Sequence, residues 1–545
     1  MKAAGPLRPR TGALPKPVRP RFLSFGLGVI LTSVACSTVA SPAPTNSWPG
    51  ADLFTNGPVR QIRLEISSRE LSSLRDDARE FVPATVTDGT NTYRNVAVRL
   101  KGSVGSFRPI EDKPAWTLDF SHFAPGQKFH GLRRIHLNNS VEDPSYCNEW
   151  LGGELFRSAG IPAPRVAHAV VTLNGRRLGL YVLIEGFTED FLCCYFRHVG
   201  GDLFEPGQGH DVNQRLKRIS VAAPRTDRSA LKELATVVLE SGSPNRWERL
   251  EKVLDVNRFL TFMALEVMLC HRDGYCLARN NFKIYRDADT GKIMFLPHGM
   301  DQLLGNAELP WNPQPAGLVA RAVLETAPGI ELYRARFGSL FTQLFAVPRI
   351  GAQIDQIVGR LRPALTDAEF ASVQTEAGHV KQRLAARSLA LERQLQQPQP
   401  AVANFTNGTL ALGNWSPASD AGGAVERVTG PDGKPSLHIR ARDDTAAAWK
   451  TKVILNPGRY RFEGQARVAG VQPLPSGTHQ GAGLRVAGQV RQSADLVGNS
   501  RWRTLAANFE VRAGATEVQL LCELRGHAGE AWFALDSLRI VQVVP

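Results

Sequence analysis

Side chains that handle metal ions and protons concentrate in one stretch of the chain, from Cys270 to Gly305. Asp273, Asn280, Asn281 and Asp301 all lie within it. Asp and Asn oxygens suit a hard cation such as Mg²⁺, and a carboxylate beside such a cation can orient or deprotonate a hydroxyl. Turn formation and helix capping also favour Asp and Asn, but four such residues bracketing one hairpin favour a site.

The hairpin is predicted from its turn chemistry. A strand starts at Phe282, a turn occupies residues 287–291 (DADTG), and a second strand runs from Lys292 to Leu296. The returning strand carries Asp301 back toward Asp273, so the oxygen ligands are expected to meet at one place.

The order His-Arg-Asp, Asn, hairpin, Asp is that of a protein-kinase catalytic loop followed by its metal-binding Asp. Asn280 and Asn281 lie seven and eight residues after Asp273, whereas the ordinary pattern places the Asn five residues after it. An ordinary protein kinase is therefore a poor fit. His271 and His298 each lack a second His at metal spacing and are interpreted as structural. The sequence has neither a serine nucleophile elbow nor a His-Glu-x-x-His motif, so hydrolase functions lack support.

The stretch resembles the CotH family of kinase-like proteins, in which a similar D…NN…Y.D..TG…P..MDQ…G run recurs. Four further blocks resemble the family in the same order: RLKGSVGSFR (99–108), KPAWTLDF (113–120), GLRRIHLNNSVEDPSYCNEWLGGELFRSAGIPAPR (131–165) and GRRLGLYVLIEGFTEDFL (175–192). The resemblance covers roughly Pro58 to Leu395. It implies an atypical kinase fold, ATP with Mg²⁺ or Mn²⁺, and phosphorylation of protein Ser or Thr.

The resemblance also implies roles for the residues of the stretch. Asp301 would coordinate the metal, with Asn281 preferred over Asn280 to complete the shell, and Asp273 would face the acceptor hydroxyl. The two lobes would join near Glu185, where the adenine would lie.

For the phosphate-contacting lysine, two residues compete. Lys113 would have Glu149, on a predicted helix, as its ion-pair partner. Lys101 is the alternative because it opens a Gly-Ser-Val-Gly turn, residues 102–105, that could cradle phosphates.

The first 40 residues predict an exported protein. They carry six of the basic residues that contribute to the formal net charge of +14, no acidic residue, and an apolar run from Phe22 to Ala35. An uncleaved anchoring helix is the alternative, although the run is short for a membrane span. Cys36 follows Ser33-Val-Ala and resembles a lipoprotein signal, so a lipid anchor at Cys36 competes with cleavage after Ala40.

The distribution of charge argues against a nucleic-acid partner, and the cysteine content leaves disulfides open. The remaining positive charge is scattered, without a Lys/Arg block interleaved with aromatics, so nucleic-acid binding is not expected. Six further cysteines in an exported chain permit disulfides, and Cys270 and Cys276 bracket Asp273. A buried free thiol is an equal alternative for each cysteine.

The periodicity predicts an α+β chain with two domains. After a signal peptide (1–40) and a tether (41–57), a bilobal kinase-like domain spans 58–395, with short strands and one helix (144–159) up to Glu185 and mainly helices afterwards. A linker (396–402) leads to an all-β, jelly-roll-like sandwich over 403–545.

The sandwich segment loosely resembles the carbohydrate-binding modules of secreted bacterial enzymes. Trp415, Trp449, Trp502 and Trp532 could stack on a sugar ring, with core packing expected for at least two. The sequence thus predicts an exported kinase that acts on a secreted or surface protein. The alternatives are a non-catalytic surface or adhesion protein with a glycan-binding sandwich and, third, nucleotide binding without transfer.

Overall fold

The computed structural model describes residues 48–543, apart from position 56 and residues 221–227, 241–242, 244, 398–401, 420–422, 475–479, 488–492, 494 and 512–515. The predicted signal peptide, the two predicted processing sites at Cys36 and Ala40, and parts of the predicted tether and linker lie outside the described residues. Within the described ranges, no helix is long and apolar enough to cross a bilayer.

The first lobe is a closed β-barrel with two helices. Its strands are β1 (Arg60–Glu65), β2 (Val82–Asp88), β3 (Asn91–Lys101), β4 (Ala115–Asp119), β5 (Arg134–Asn138), β6 (Val166–Leu173) and β7 (Arg176–Glu185), in the order β1-β2-β3-β4-β5-β7-β6. The helices are α1 (Ser68–Asp76) and α2 (Asn148–Ser158). A parallel pairing of β1 with β6 closes the barrel, and the other neighbours are antiparallel.

The sequence missed three elements of this lobe, α1, β2 and β5, each for a physical reason. Helix α1 is short and polar and buries only Leu74. Strand β2 contains Pro83, a residue that weakens a strand signal. In strand β5 the buried apolar residues Ile135 and Leu137 alternate with the polar residues Arg134 and His136. Two apolar residues are too few to give a clear strand pattern in the sequence. The expectation of a single helix in this lobe is therefore wrong.

The second lobe is mainly helical, with one small sheet. Its helices are α3 (Glu189–Leu192), α4 (Ser229–Leu239), α5 (Arg246–Val253), α6 (Val256–Met268), α7 (Tyr275–Ala278), α8 (Leu318–Leu324), α9 (Ala327–Leu344), α10 (Val347–Leu361) and α11 (Asp367–Gln396). Its strands are β8 (Asp202–Glu205), β9 (Lys217–Arg218), β10 (Phe282–Arg286) and β11 (Ile293–Pro297), in the order β11-β10-β8-β9. Helix α6 is buried along almost its whole length and forms the centre of this lobe.

The predicted hairpin is confirmed. Strands β10 and β11 pair antiparallel with Phe282 opposite Pro297. The turn is closed at Asp287, whose main-chain N–H donates to Lys292 (3.0 Å) and whose carbonyl accepts from Gly291 (3.0 Å). Its open end therefore places the residues before Phe282 beside those after Pro297.

The last part of the chain is all-β, as predicted, and its described strands form one antiparallel sheet around a separate core. They are β12 (Thr409–Ala411), β13 (Ser416–Ser419), β14 (Gly423–Thr429), β15 (Pro435–Leu455), β16 (Gly458–Gln472), β17 (Gly481–Val486), β18 (Arg503–Val511), β19 (Thr516–Ala534) and β20 (Arg539–Gln542). The register shifts in β15 between Arg442 and Thr445. Residues 437–441 and 448–455 thus belong to one strand, on either side of this shift.

Candidate functional site

A cleft of about 560 Å³ contains most of the residues singled out from the sequence. Its walls come from the barrel, from α2, and from the segments on either side of the β10–β11 hairpin. Seven of the eight candidate site residues line it: Lys101, Glu149, Glu185, Asp273, Asn280, Asn281 and Asp301. Lys113 is not among the lining residues.

The barrel wall of the cleft follows from strand alternation. Successive side chains of a strand point to opposite faces, so alternate residues of β5, of the end of β3 and of the start of β4 reach the cleft. These residues are Arg99, Lys101, Ala115, Thr117, Arg134, His136 and Asn138. This polar outer face explains why β5 escaped detection.

The structure distinguishes the two candidate lysines by position. Lys101 ends β3 and is half-buried in the cleft. Burial lowers the pKa of Lys101, while the nearby carboxylates of Glu149 and Asp301 oppose that shift. Lys113 instead donates to the Tyr146 hydroxyl (2.7 Å) outside the cleft, and burial lowers its pKa to about 8. Of the two lysines, Lys101 is thus the neighbour of Glu149, and the structure does not bring Lys113 to it.

Helix α2 connects the barrel lobe to the segment that carries Asp301. Asn148 donates from its side-chain amide to the main-chain carbonyl of Asp301 (2.8 Å). The main-chain N–H of Met300 lies near the carboxylate of Glu149 and lowers its pKa. Burial, and then the charge of Asp301, raise the pKa of Glu149, and Lys101 opposes that shift. Asp143 fixes the start of the helix by accepting the N–H of Asn148 (2.8 Å).

The candidate metal ligands are oxygen atoms at the open end of the hairpin. The Asn281 amide nitrogen donates to the Gly299 carbonyl (3.0 Å), which leaves its amide oxygen available in the cleft that Asp301 also lines. Asn281 has a φ of 48°, a conformation that Asn tolerates better than most residues. Among the described residues, no three His, Cys, Asp or Glu side chains converge as a metal cluster. One carboxylate with amide oxygens fits Mg²⁺, which commonly takes few protein ligands together with substrate phosphates.

The loop that carries Asp273 is anchored by α6. The carboxylate of Glu266 is fully buried and accepts the main-chain N–H groups of Tyr275 (2.9 Å) and Cys276 (2.7 Å). His271 is also fully buried, and its Nε2–H donates to the Gly299 carbonyl (3.0 Å). Burial lowers the pKa of His271, but the Glu266 carboxylate, 3.6 Å from Nδ1, raises the pKa overall.

The side chain of Glu185 is already engaged. Both carboxylate oxygens accept hydrogen bonds from the Arg165 guanidinium, at 2.5 and 3.0 Å, and the carboxylate is fully buried. Ile184 and Phe187 line the cleft on either side of it. Glu185 therefore contributes to the shape of this end of the cleft while its charge is held by Arg165.

Some site residues were missed by the sequence analysis. Lys283 lies in the cleft and donates to Glu205 (2.6 Å), and His136 bonds the Thr117 hydroxyl through Nδ1 (3.1 Å). Glu266 could have been recognised from the sequence, because it is the lone acidic residue in the apolar helix before Asp273. The described cysteines are free thiols, and Cys270 and Cys276 are both buried.

Two lobes that enclose a lysine, a helix glutamate and a hairpin-borne Asn and Asp define a kinase-like protein. The family model described as CotH kinase protein matches residues 98–398, more than half of the chain. The chain belongs to this family.

Relatives with curated descriptions agree with this membership. Invasin CotH2 of Rhizopus delemar is 23% identical over 56% of this chain and 56% of its own length. Inner spore coat protein H of Bacillus subtilis is 23% identical over 46% of this chain and 70% of its own length. The chain thus spans about half the length of the invasin.

Two solved structures show weaker likenesses. The Helicobacter pylori proinflammatory kinase CtkA is 12% identical, with 49% of this chain and 94% of that chain covered and a TM-score of 0.23. TmCBM61 in complex with β-1,4-galactotriose is 14% identical, with 25% and 92% covered and a TM-score of 0.19. At such TM-scores these likenesses carry no argument about this chain.

Proposed function

We propose that this protein is an exported kinase that transfers the γ-phosphate of ATP to Ser or Thr of a secreted or surface protein. The observation that supports it is the meeting of Lys101, Glu149, Asp273, Asn281 and Asp301 in one cleft. These residues come from both lobes, and each has the chemistry that one part of phosphoryl transfer needs.

Asp301 and Asn281 are the residues that would hold Mg²⁺ or Mn²⁺. Such a cation, when bound, neutralises charge on the transferred phosphoryl group. Lys101 offers a positive charge to the ATP phosphates, and the nearby carboxylate of Glu149 favours that charge. Asp273 accepts the proton of the acceptor hydroxyl as the oxygen–phosphorus bond forms and the bond between the γ-phosphorus and its bridging oxygen breaks.

The glycine turn after Lys101 suits the phosphate end of the cleft. Gly102 and Gly105 have φ values of 110° and 90°, which favour glycine strongly. A Cβ at Gly102 would lie 2.9 Å from the backbone of Phe107, so a side chain there would disrupt the turn. Gly102 and Ser103 both line the cleft.

The second candidate function is a non-catalytic surface protein. Its support is that relatives of this chain are named as an invasin and a spore coat protein. The presence of both Asp273 and Asp301 favours the kinase, because a decayed kinase would commonly have lost one of them. A third candidate is a protein that binds the nucleotide but does not transfer its phosphate.

Export and glycan binding complete the proposal. The basic start and apolar run would direct export, with a lipid anchor at Cys36 or cleavage after Ala40. The all-β part would bind a glycan, which would hold the kinase near its acceptor at a surface.

The two lysines provide a matched test of the cleft. Lys101→Met should weaken Mg²⁺-dependent ATP binding by about 10- to 100-fold, the effect of losing a charge-assisted hydrogen bond. Lys113→Met should leave ATP affinity unchanged, because Lys113 bonds Tyr146 outside the cleft. Calorimetric titration with ATP, with and without EDTA, measures both. Equal affinity of wild type and Lys101→Met would contradict the proposal.

A further inference from the structure

One face of the C-terminal sheet carries a cross-strand row of aromatic and polar side chains. The registers place Glu426 opposite His438, His438 opposite Trp532, and Trp532 opposite Arg467. Trp502 immediately precedes β18, whose first residue, Arg503, lies opposite Ala466, so Trp502 comes next to Arg467. We call these five residues the aromatic strip.

The strip lies on the face of the sheet that points away from the core. Residues that alternate with it, such as Leu437, Ala466 and Phe533, are fully buried in the core. Trp532 and Trp502 are partly exposed. Trp415 and Trp449, by contrast, are core residues at 4% exposure. Two of the four tryptophans are thus packed inside, and the other two share the outer face.

The two indole rings, of Trp532 and Trp502, are spaced and held in a way that suits a ligand made of several linked rings. They are two strands apart, which corresponds to about 10 Å across a sheet. Trp532 stacks on His438 with ring centroids 4.9 Å apart and an interplanar angle of 21°. Glu530 holds this arrangement, because its carboxylate accepts from His438 (3.2 Å) and from Arg440 (2.8 Å).

The polar groups of this face leave hydrogen-bonding capacity and little net charge. Within the part of the chain that the structure describes, the Nε of Arg467 and the Nε1 of Trp502 are buried, so the groups that a ligand can reach are the part-exposed Arg467 side chain and the carboxylate of Glu426, whose side chain is 57% exposed. Two carboxylates, Glu426 and Glu530, offset the guanidinium groups of Arg440 and Arg467, and Arg442, two residues further along β15 on the same face, adds one positive charge. Without a block of like charges, this face suits a neutral ligand, to whose hydroxyl groups it offers donors and acceptors.

We infer that the aromatic strip binds a neutral oligosaccharide. The apolar C–H faces of sugar rings would pack on Trp532 and Trp502, and the hydroxyl groups would bond Arg467 and Glu426. This inference rests on the proposed glycan-binding role of the all-β part and is independent of the kinase activity.

The test uses the full chain with cellohexaose, xylohexaose and mannohexaose as probes and polygalacturonate as the charged comparison. Titration calorimetry and tryptophan emission report binding. Trp532→Ala and Arg467→Ala should each weaken binding of the preferred neutral probe by at least about tenfold. Lys452→Ala is the control, because Lys452 is exposed on the other half of β15 and pairs with Glu517.

The outcomes separate the strip from the broader glycan role. Neutral-probe binding that both strip variants lose and Lys452→Ala keeps supports the strip, provided that circular dichroism shows each variant folded. Arg467→Ala decides if Trp532→Ala does not fold. Binding that survives both substitutions overturns the strip and leaves the glycan role standing. Failure to bind any of the neutral probes, or preference for polygalacturonate, overturns the inference.

Discussion

Asn148 donates a 2.8 Å hydrogen bond to the main-chain carbonyl of Asp301, 153 residues further along the chain. The carboxylate of the adjacent Glu149 lies near the N–H of Met300. Two consecutive residues of α2 therefore lie against the two consecutive residues that end in the candidate metal ligand. The position of α2 consequently determines whether Asp301 reaches the cleft.

Substitution of Gly152 by Ala should disturb this coupling. A Cβ at Gly152 would lie 2.6 Å from the Sδ and 3.1 Å from the Cβ of Met300, so Met300 must shift. Overpacking of this kind costs about 1–3 kcal/mol of unfolding free energy. We expect Gly152→Ala to lose stability in that range and to bind Mg²⁺-ATP more weakly, as measured by urea denaturation and titration calorimetry.

Gly359→Ala is the matched control, because it lies in α10 with no neighbouring atom within 4 Å of the added Cβ. It should gain stability by up to about 1 kcal/mol through helix propensity and leave ATP affinity unchanged. A Gly152→Ala protein with the stability and ATP affinity of wild type would show that α2 does not position Asp301.

Glu266 is expected to act as a positioning residue for Asp273. Its carboxylate accepts two N–H groups of the loop, and Gln would place an amide NH₂ against one of these donors. Glu266→Gln should reduce kcat for phosphoryl transfer by about 10- to 100-fold while KM for ATP changes little, because a small misplacement of a catalytic group is costly.

Steady-state kinetics with an exposed control, Glu251→Gln in α5, measures this effect. A parallel rise in KM and fall in kcat would indicate general damage to the cleft. Unchanged kcat would show that the loop holds Asp273 without Glu266.

The buried His168 predicts a defined acid sensitivity of the barrel lobe. It is 7% exposed, its Nε2–H donates to the Tyr146 carbonyl (2.9 Å), and burial lowers its pKa to about 4. In the unfolded chain the pKa of His168 is about 6.5, so below that pH the unfolded state binds a proton that the folded state does not. The free energy of unfolding should therefore fall as the pH is lowered from 6.5 toward 4, by up to about 3 kcal/mol.

Denaturant unfolding at pH 7.5 and pH 4.5 measures this loss. His168→Gln keeps an N–H donor but cannot titrate, so its unfolding free energy should fall less between the two pH values. Identical pH dependence in wild type and variant would mean that His168 is not the responsible group.

The sequence predicted much of the helical lobe and the hairpin because their signals are local. The apolar run that became α6 and the DADTG turn each specify their own geometry. The closed barrel was not predictable in this way. Its closure depends on β1 pairing with β6, about a hundred residues away. In addition, β5 places polar side chains in the cleft, so it lacks the apolar pattern of a buried strand.

The sequence indicated which residues could form the site, but not which of them contact one another. Asp273, Asn281 and Asp301 lie near one another in sequence, so a single hairpin brings them together. The choice between Lys101 and Lys113 depends on where β3 ends relative to α2, and this tertiary relationship has no local signature. Tyr146, which holds Lys113, is likewise distant from it in sequence.

The most direct test of the kinase function compares Asp301→Ala with Asp273→Ala. Each variant is titrated with ATP in Mg²⁺ and assayed for transfer of radiolabelled phosphate to a panel of secreted Ser-rich proteins. Asp301→Ala should lose both metal-dependent ATP binding and transfer. Asp273→Ala should keep ATP binding and lose transfer by about 10²- to 10⁴-fold, the share of a positioned general base. Equal ATP affinity of wild type and Asp301→Ala would contradict the metal site, and a wild type that binds ATP but labels no acceptor would favour the non-catalytic function.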